Sequence, residues 1–444
     1  MKNIFIKPLD CFMCLLIGQL SLVVFCLAAV CSVFSWGRKR KKYSPENSIL
    51  LFAEAATYSA LEKKGNLDTL NNFLCGDFFK KAYFVHFPAP KSQTLRMNDR
   101  IFIIEIKPLL KFVKNIGLEF SYTLLNGSWY FFQVFLMKDF TLENVSVIQG
   151  AGVHHTALAA LLLHFLTKIP VCVSVHSDDE HRYKFMKGYG GQWAIFNSRC
   201  ITVQLHKFIF THSPSILLVR PSLQEWALKR GAKKSRISVY PHGIDLDSFY
   251  KEYPGNIREE FALLDKKIIL FAGRISKENY VLDLPQIAGL VVTFARDALF
   301  VIIGDGPERR ELEEQVSKMG IRDYFMFLGF LPRHKIYEFR KAADINLCLM
   351  AGYGLIEAVL SGKPVITYDV EWHSELIKDG YTGVLVPEHD IKKAADSVIR
   401  LTNDPFLAEK LGSNAMKLAM EMYDIRNTSQ RKVRIYRELM EAST

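Results

Sequence analysis

Three glycine-containing segments in the second half of the chain combine backbone freedom with charge. The first is Gly273-Arg274, followed by Lys277, directly after the apolar run IILFA. Gly273 lets the chain turn tightly beside a ligand. Two cations there suit a diphosphate and the negative charge that develops on a leaving nucleotide, although an ordinary basic loop has the same composition. The second is Gly304-Asp305-Gly306-Pro307, after LFVII. It reads as a tight turn into a helix with N–H groups open to a phosphate or a base edge; a plain turn is equally economical. The third and strongest is Gly352-Tyr353-Gly354-Leu355-Ile356-Glu357. Gly354 permits close backbone approach, Leu355 and Ile356 fall in a first helical turn whose free N–H groups bind phosphate oxygens, and Glu357 is placed to accept hydroxyl bonds from a ribose or a sugar. A glycine linker followed by a helix-starting acid is the plainer reading.

In the first half, His176 ends the run VCVSV and precedes Ser177-Asp178-Asp179-Glu180-His181. A histidine at a strand end can meet a sugar hydroxyl in a crevice; capping or structural duty is the alternative. The consecutive acids need not share one face, so they make a poor metal set. Asp245-Leu246-Asp247 is the one triplet that invites a metal–diphosphate reading, and alone it is weak. No strand runs into GxGxxG and no GxxxxGK[ST] occurs, which disfavours a dinucleotide oxidoreductase and a P-loop ATPase.

Short strands alternating with helical stretches must carry these residues. SILLFAEA, AYFVHF, RIFIIEI, VSVIQG, VCVSVHS, WAIFNS, ILLVRPS and RISVYPHG read as strands of the first half, with residues 155–168 helical. After a polar, proline-containing link at 244–256, KKIILFAG restarts the pattern. ALFVIIGDG, YFMFLGF, DINLCLM, PVITYD and GVLVP follow, and the end of the chain from about Pro405 is helical. Such alternation predicts mostly parallel sheets covered on both faces, with ligands beyond the carboxyl ends of the strands.

The chain has 444 residues, 49% of them hydrophobic, and a formal net charge of +11. That excludes a disordered chain and allows two domains. The charge is compatible with phosphorylated small molecules, anionic lipid or nucleic acid, but no nucleic-acid module is present. Eight scattered cysteines show neither zinc-finger spacing nor a disulfide framework. Residues 11–36 carry no formal charge and are followed by Arg38-Lys39-Arg40-Lys41-Lys42. This predicts a transmembrane signal-anchor, with the catalytic part cytosolic by the positive-inside rule; a cleaved signal peptide, whose basic end should precede the apolar stretch, and a buried globular helix are the alternatives. The aromatic segment 118–137 reads as a packed or interfacial helix, with a second span as the alternative.

Taken together, FAGRISKEN, VIIGDGPERRELEE, FLGFLPRHKIYEFRKAADI, GYGLIEAVLSGKPVITYD and SELIKDGYTGVLVPEHD resemble the large retaining glycosyltransferase family 4. The resemblance is strongest over residues 266–390. It implies GT-B architecture: an α/β protein with two Rossmann-like domains facing a cleft, here preceded by the transmembrane helix. The expected organisation is a membrane anchor and basic flank at 1–44, an acceptor-side domain at 45–246, a nucleotide-sugar-binding domain at 247–405 and a helical segment at 406–444. By resemblance Arg274 grips the donor diphosphate, and Lys277 replaces a lysine usually found where Asn279 stands. Glu357 holds the donor ribose as the second acid of a Glu-x7-Glu motif whose first position is Leu349 here. Gly273, Gly304, Gly306, Gly354, Leu355 and Ile356 line the donor, and His176 meets the transferred sugar. Asp245 falls in a turn motif, so neither metal nor cofactor is expected. The implied activity is transfer of a sugar, with retention, from a cytosolic nucleotide sugar to a saccharide or lipid-linked saccharide at a membrane. The alternatives are a catalytically inactive GT-B-like partner or scaffold subunit and, third, a sugar-phosphate isomerase on a similar fold.

Overall fold

The computed structural model describes residues 47–53, 57–63, 67–108, 129–130, 133, 145–178 and 199–442. Of these, residues up to Asp178, from Arg199 to Tyr240 and from Ser429 onward form one unit, and Pro241–Thr428 form the other. The apolar runs become strands. The first unit contains β1 (Ser48–Ala53), β2 (Lys81–His86), β3 (Gln93–Arg96), β4 (Ile101–Glu105), β5 (Val147–Ala151), β6 (Val171–Val175), β7 (Ser215–Leu218) and β8 (Ile237–Val239). They lie in the order β3-β4-β2-β1-β5-β6-β7-β8, all parallel except the β3–β4 pair. The second unit contains β9 (Lys267–Ala272), β10 (Ala298–Ile303), β11 (Phe325–Gly329), β12 (Ile345–Leu347), β13 (Val365–Tyr368) and β14 (Val384–Val386). Their order is β11-β10-β9-β12-β13-β14, and every pairing is parallel.

That second order is the doubly wound one, in which the direction of winding reverses between the first strand and the fourth. The reversal falls between β9 and β12, the place where ligands of doubly wound sheets bind, beyond the carboxyl ends of the strands; two segments leave the strands there. They are Gly273–Lys277 and Leu349–Gly354, the first and third of the glycine-containing segments. β1 and β10 are buried along their whole length, as strands in a sheet covered on both faces must be. Of the helices used below, α1 is His155–Thr167, α2 Arg333–Ala342, α3 Tyr353–Leu360, α4 Pro405–Tyr423 and α5 Ile425–Glu441.

From Ser429 onward α5 packs with the first unit. Its Tyr436 is fully buried and donates its hydroxyl to Gln149 Oε1 at 2.5 Å. Lys432, also buried, points its ammonium at the rings of Phe73, Tyr240 and Tyr436, at 4.6, 5.5 and 5.6 Å. Stacked cation–π attraction of this kind holds a desolvated charge without a carboxylate. Cys75, Cys172 and Cys348 are buried free thiols, and burial pushes the Cys172 thiol up to about 12.

Three expectations need correction or relocation. No helix among the described residues is long and apolar enough to cross a membrane, so the transmembrane element, the membrane partner and the single-pass localisation are not part of the observed architecture. The reason is length and polarity. A span needs roughly 20 apolar residues; the strongly apolar α1 has 13, and the longest, α4, has 19 but carries Glu409, Lys410, Lys417 and Glu421. The segment 11–36 on which the anchor was expected lies outside the described residues, as do WAIFNS and nearly all of 118–137. Within the latter, Tyr130 is buried and packs on Phe52 and Phe87, at ring distances of 6.0 and 4.8 Å. Finally, the polar link at 244–256 contains a short helix, Leu246–Tyr250, which buries Leu246 and Phe249.

Candidate donor site

The loop leaving β9 is fastened along its length by main-chain and side-chain bonds. Gly273 N–H donates to the Ile303 carbonyl at 3.0 Å, and Ile275 N–H donates to the Asp305 carbonyl at 3.0 Å. The Ile275 side chain is fully buried. At the far end Asn279 Nδ2 donates to the Arg274 carbonyl at 2.8 Å. Tyr280, in the left-handed region at φ 55°, donates its hydroxyl to Glu388 Oε1 at 2.6 Å. Burial, and then that carboxylate, push the Tyr280 phenol far above its ordinary range, so it remains a donor. Arg274 and Lys277 stand exposed on this loop. Neither side chain has a carboxylate partner among the described residues. Two exposed cations on a loop fastened at the switch point are an arrangement able to meet an anion.

Asn279 therefore has a definite role where the family pattern would put a lysine: it closes the turn behind Arg274. Asn279→Asp removes the donor and faces a carbonyl with a carboxylate. Because a net hydrogen bond contributes about 0.5–1.5 kcal/mol, nucleoside-diphosphate affinity is expected to fall roughly two- to tenfold, measured by calorimetric titration, with Asn279→Gln intermediate.

The loop after β10 lies backbone to backbone on the loop after β9. Gly304 has φ +129°, and a Cβ on it would sit 1.9 Å from the Gly273 carbonyl oxygen. A Cβ on Gly306 would sit 2.1 Å from the Ile275 carbonyl oxygen. Packing against the chain itself thus requires both glycines. The nearby N–H groups are also engaged. Gly306 N–H bonds to Asp305 Oδ1 at 2.8 Å, Glu308 N–H to the Ile275 carbonyl at 3.2 Å, and Arg309 N–H to the Gly306 carbonyl at 3.2 Å.

Across the switch point, the segment leaving β12 is pinned by His373. This fully buried ring places Nε2 2.9 Å from the Ala351 carbonyl and Nδ1 2.5 Å from Thr367 Oγ1. α3 then starts at Tyr353 with Gly352 as its N-cap and no side-chain cap. Leu355 and Ile356 bury their side chains, so only their main chain can meet a ligand. Leu349 is also fully buried, in the core that includes Ile269, Phe271 and Leu347. Glu357 is 8% exposed and is gripped by two arginines of α2. Arg333 Nη2 donates to Oε1 at 3.0 Å, and Arg340 Nε lies 3.8 Å from Oε2. Arg340, 1% exposed, also donates to Asn346 Oδ1 at 3.3 Å and to the Ala272 carbonyl at 3.4 Å, reaching the end of β9. Gly354 leaves room for it: a Cβ there would stand 3.1 Å from Arg340 Nη2.

The second unit thus gathers Gly273, Arg274, Lys277, Gly304, Gly306, Gly354, Leu355, Ile356 and Glu357 at the carboxyl edge of one sheet. His176 belongs to the other unit. It follows β6 with Nε2 3.0 Å from Ser174 Oγ, and Ser174 accepts in turn from Gln149 Nε2 at 3.0 Å. Asp178 is described; Asp179, Glu180 and His181 lie outside the described residues. Arg333, Arg340 and His373 were missed in the sequence, and Asn279 was noted only as standing where a lysine is usual, not as the residue that closes the turn. For the arginines a signal existed: positions 333, 337 and 340 are spaced i, i+4, i+7 and share one helical face.

Asp245 caps the helix Leu246–Tyr250. Oδ1 accepts from Asp247 and Ser248 N–H at 3.1 and 3.2 Å, and Oδ2 accepts from Ser248 Oγ at 2.6 Å. No group of three or more His, Cys, Asp or Glu suited to a metal occurs among the described residues. Asp245→Ala is expected to cost about 1 kcal/mol of stability as a lost cap, read from urea unfolding. Nucleoside-diphosphate affinity is expected to be the same with and without EDTA; loss with EDTA and recovery with Mn²⁺ would return Asp245 to a metal role.

Comparison with known proteins agrees with this geometry. Residues 255–418 match the family model of Glycosyl transferases group 1. The chain is 32% identical over 187 residues to alpha-D-kanosaminyltransferase of Streptomyces kanamyceticus, covering 41% of this chain and 48% of that protein. It is 24% identical over 335 residues to 2-deoxystreptamine N-acetyl-D-glucosaminyltransferase of Niallia circulans, covering 72% and 82% respectively. The chain thus spans about half the length of the first relative and about four-fifths of the second. Sucrose-phosphate synthase from Thermosynechococcus elongatus superposes with a TM-score of 0.71 at 16% identity, over 89% of this chain and 100% of that one. Anabaena HepE in complex with UDP gives 0.66 at 14% identity, over 88% and 100%. The structural likenesses establish the GT-B-type pair of Rossmann-like units. The sequence likeness to glycosyltransferases supports an enzyme of the sugar-transferring class.

Proposed function

We propose that this chain moves a sugar, with retained anomeric configuration, from a nucleotide-sugar donor to a hydroxyl of a saccharide or lipid-linked saccharide. The observation that carries the reading is the second unit's switch point, where the loop bearing the uncommitted cations Arg274 and Lys277 leaves β9 and the segment leading into α3 and Glu357 leaves the neighbouring strand β12. In this reading the diphosphate lies against Arg274, Lys277 and the first N–H groups of α3, and the ribose bonds to Glu357. The first unit receives the acceptor, and His176 meets the transferred sugar.

As the glycosidic bond to the leaving phosphate breaks, negative charge moves onto the β-phosphate. Arg274 and Lys277 lie where that charge develops, which is the arrangement that lowers a barrier. The acceptor hydroxyl attacks from the face the phosphate leaves. The departing phosphate takes the hydroxyl proton, so no side chain need act as base. The test is to incubate the purified chain with UDP-, GDP- and ADP-sugars and follow nucleoside-diphosphate release. Release from one nucleotide class, inhibited by its own diphosphate, supports the reading. A folded chain that releases none and binds none refutes it.

A further inference from the structure

Glu357 is served by two arginines that differ in one respect. The Arg340 side chain is 1% exposed, whereas Arg333 keeps 29% of its side-chain surface open. Arg333 begins α2. Its guanidinium lies over Tyr337 and Tyr353, 5.5 and 5.2 Å from the ring centroids. Tyr353 is itself fixed, its hydroxyl donating to the Gly243 carbonyl at 3.0 Å. The guanidinium is therefore mounted against two aromatic faces while donating to Oε1. Burial works against its charge, but Glu357 and the neighbouring tyrosines outweigh burial and raise its pKa. With Arg340 beside Oε2, the carboxylate is held at both oxygens and cannot rotate without losing a partner. An acceptor that must bind two neighbouring hydroxyls at once needs such orientation, because each oxygen has to point at its own donor.

We infer that Arg333 is a positioning residue that sets the sugar specificity of the nucleotide site. It locks the Glu357 carboxylate in the orientation that accepts both ribose hydroxyls, so that the site favours ribonucleotides over 2′-deoxyribonucleotides. This rests on the donor-site reading of Glu357. A carboxylate freed on one side still carries its charge and still meets a single hydroxyl. The loss on removing Arg333 therefore falls on the ligand with two hydroxyls. An ion pair that only joined α2 to α3 would change stability and leave the preference between the two ligands untouched.

The experiment titrates the full chain with UDP, GDP and ADP and with the 2′-deoxy form of each, for wild type, Arg333→Lys and Arg333→Met. Lysine keeps a cation over the rings but loses the planar fork, and so preserves the fold if methionine does not. Circular dichroism and the melting temperature accompany each titration. Wild type is expected to bind the preferred ribonucleotide about tenfold or more tighter than its deoxy form, as loss of a hydrogen bond to a charged group implies. In both variants ribonucleotide affinity is expected to fall roughly tenfold while deoxynucleotide affinity stays within about twofold, so that the ratio collapses toward one. An unchanged ratio in a folded variant, parallel loss for both ligands, or a wild type that does not discriminate would overturn the inference while leaving the donor site standing. A folded wild type that binds none of the six would remove the donor reading and this inference with it.

Discussion

Replacing Arg274 with alanine is expected to cut sugar transfer by a few hundredfold and to weaken nucleoside-diphosphate binding, in a protein that melts at the wild-type temperature. Arg274 is exposed and unpaired among the described residues, so its removal leaves no buried partner unsatisfied and the fold does not depend on it. Its backbone is held independently, through the Asn279 bond to its carbonyl. Function should suffer far more than stability, because the guanidinium fork meets phosphate oxygens as charge builds on them. Loss of one such preorganised contact costs on the order of 10²–10³ in rate. Lys277→Ala is expected to lie between this variant and wild type, since an ammonium supplies charge without the fork. Calorimetric titration with the diphosphate beside turnover of the nucleotide sugar separates the two contributions. Unchanged affinity and turnover in Arg274→Ala would withdraw the site assignment.

The second large effect is expected at Gly304, of the opposite kind. A Cβ at this position meets the Gly273 carbonyl oxygen at 1.9 Å, on a backbone with φ +129°. Neither atom belongs to a flexible side chain, so two loops must move apart. Non-glycine strain of this kind costs about 1–3 kcal/mol, and forced displacement in a packed region roughly another 1–3 kcal/mol. For a unit of this size about 3 kcal/mol lowers the melting temperature by roughly 6–12 °C. Because the displaced loop carries Arg274, diphosphate affinity is expected to fall in the same variant. Were Gly304 there only to admit a ligand, Gly304→Ala would lose affinity at an unchanged melting temperature. Differential scanning fluorimetry with titration on one sample decides between the two.

Much of the second sheet was legible because its central strands are buried and read as unbroken apolar runs; KKIILFAG and ALFVIIGDG became β9 and β10. β3 was not. Gln93-Thr94-Leu95-Arg96 is a four-residue antiparallel edge strand whose burial alternates, and so short a polar run carries no periodic signal. Strand order was not legible either, since it is set by how crossovers pack rather than by any one segment. At the site, charge and glycine located the segments, but not the reason for each residue. Gly304 and Gly306 face neighbouring backbone, which only three-dimensional structure reveals. The pairing of Arg333 and Arg340 with Glu357 was not legible, because a buried arginine is rare unless paired and the partner stands 24 and 17 positions away. The relation of residues 11–36 to a membrane rested on hydropathy and the basic cluster that follows, and no helix among the described residues is long and apolar enough to cross a membrane.

The central claim is transfer itself, and mass spectrometry of a complete reaction tests it most directly. The purified chain is mixed with the nucleotide sugar whose diphosphate it binds and with a panel of saccharide and lipid-linked saccharide acceptors. The expected result is an acceptor heavier by one sugar residue, formed in step with the released nucleoside diphosphate and carrying the donor's anomeric configuration by proton NMR. A folded chain that binds the diphosphate yet leaves every donor intact and every acceptor at its starting mass would contradict the claim.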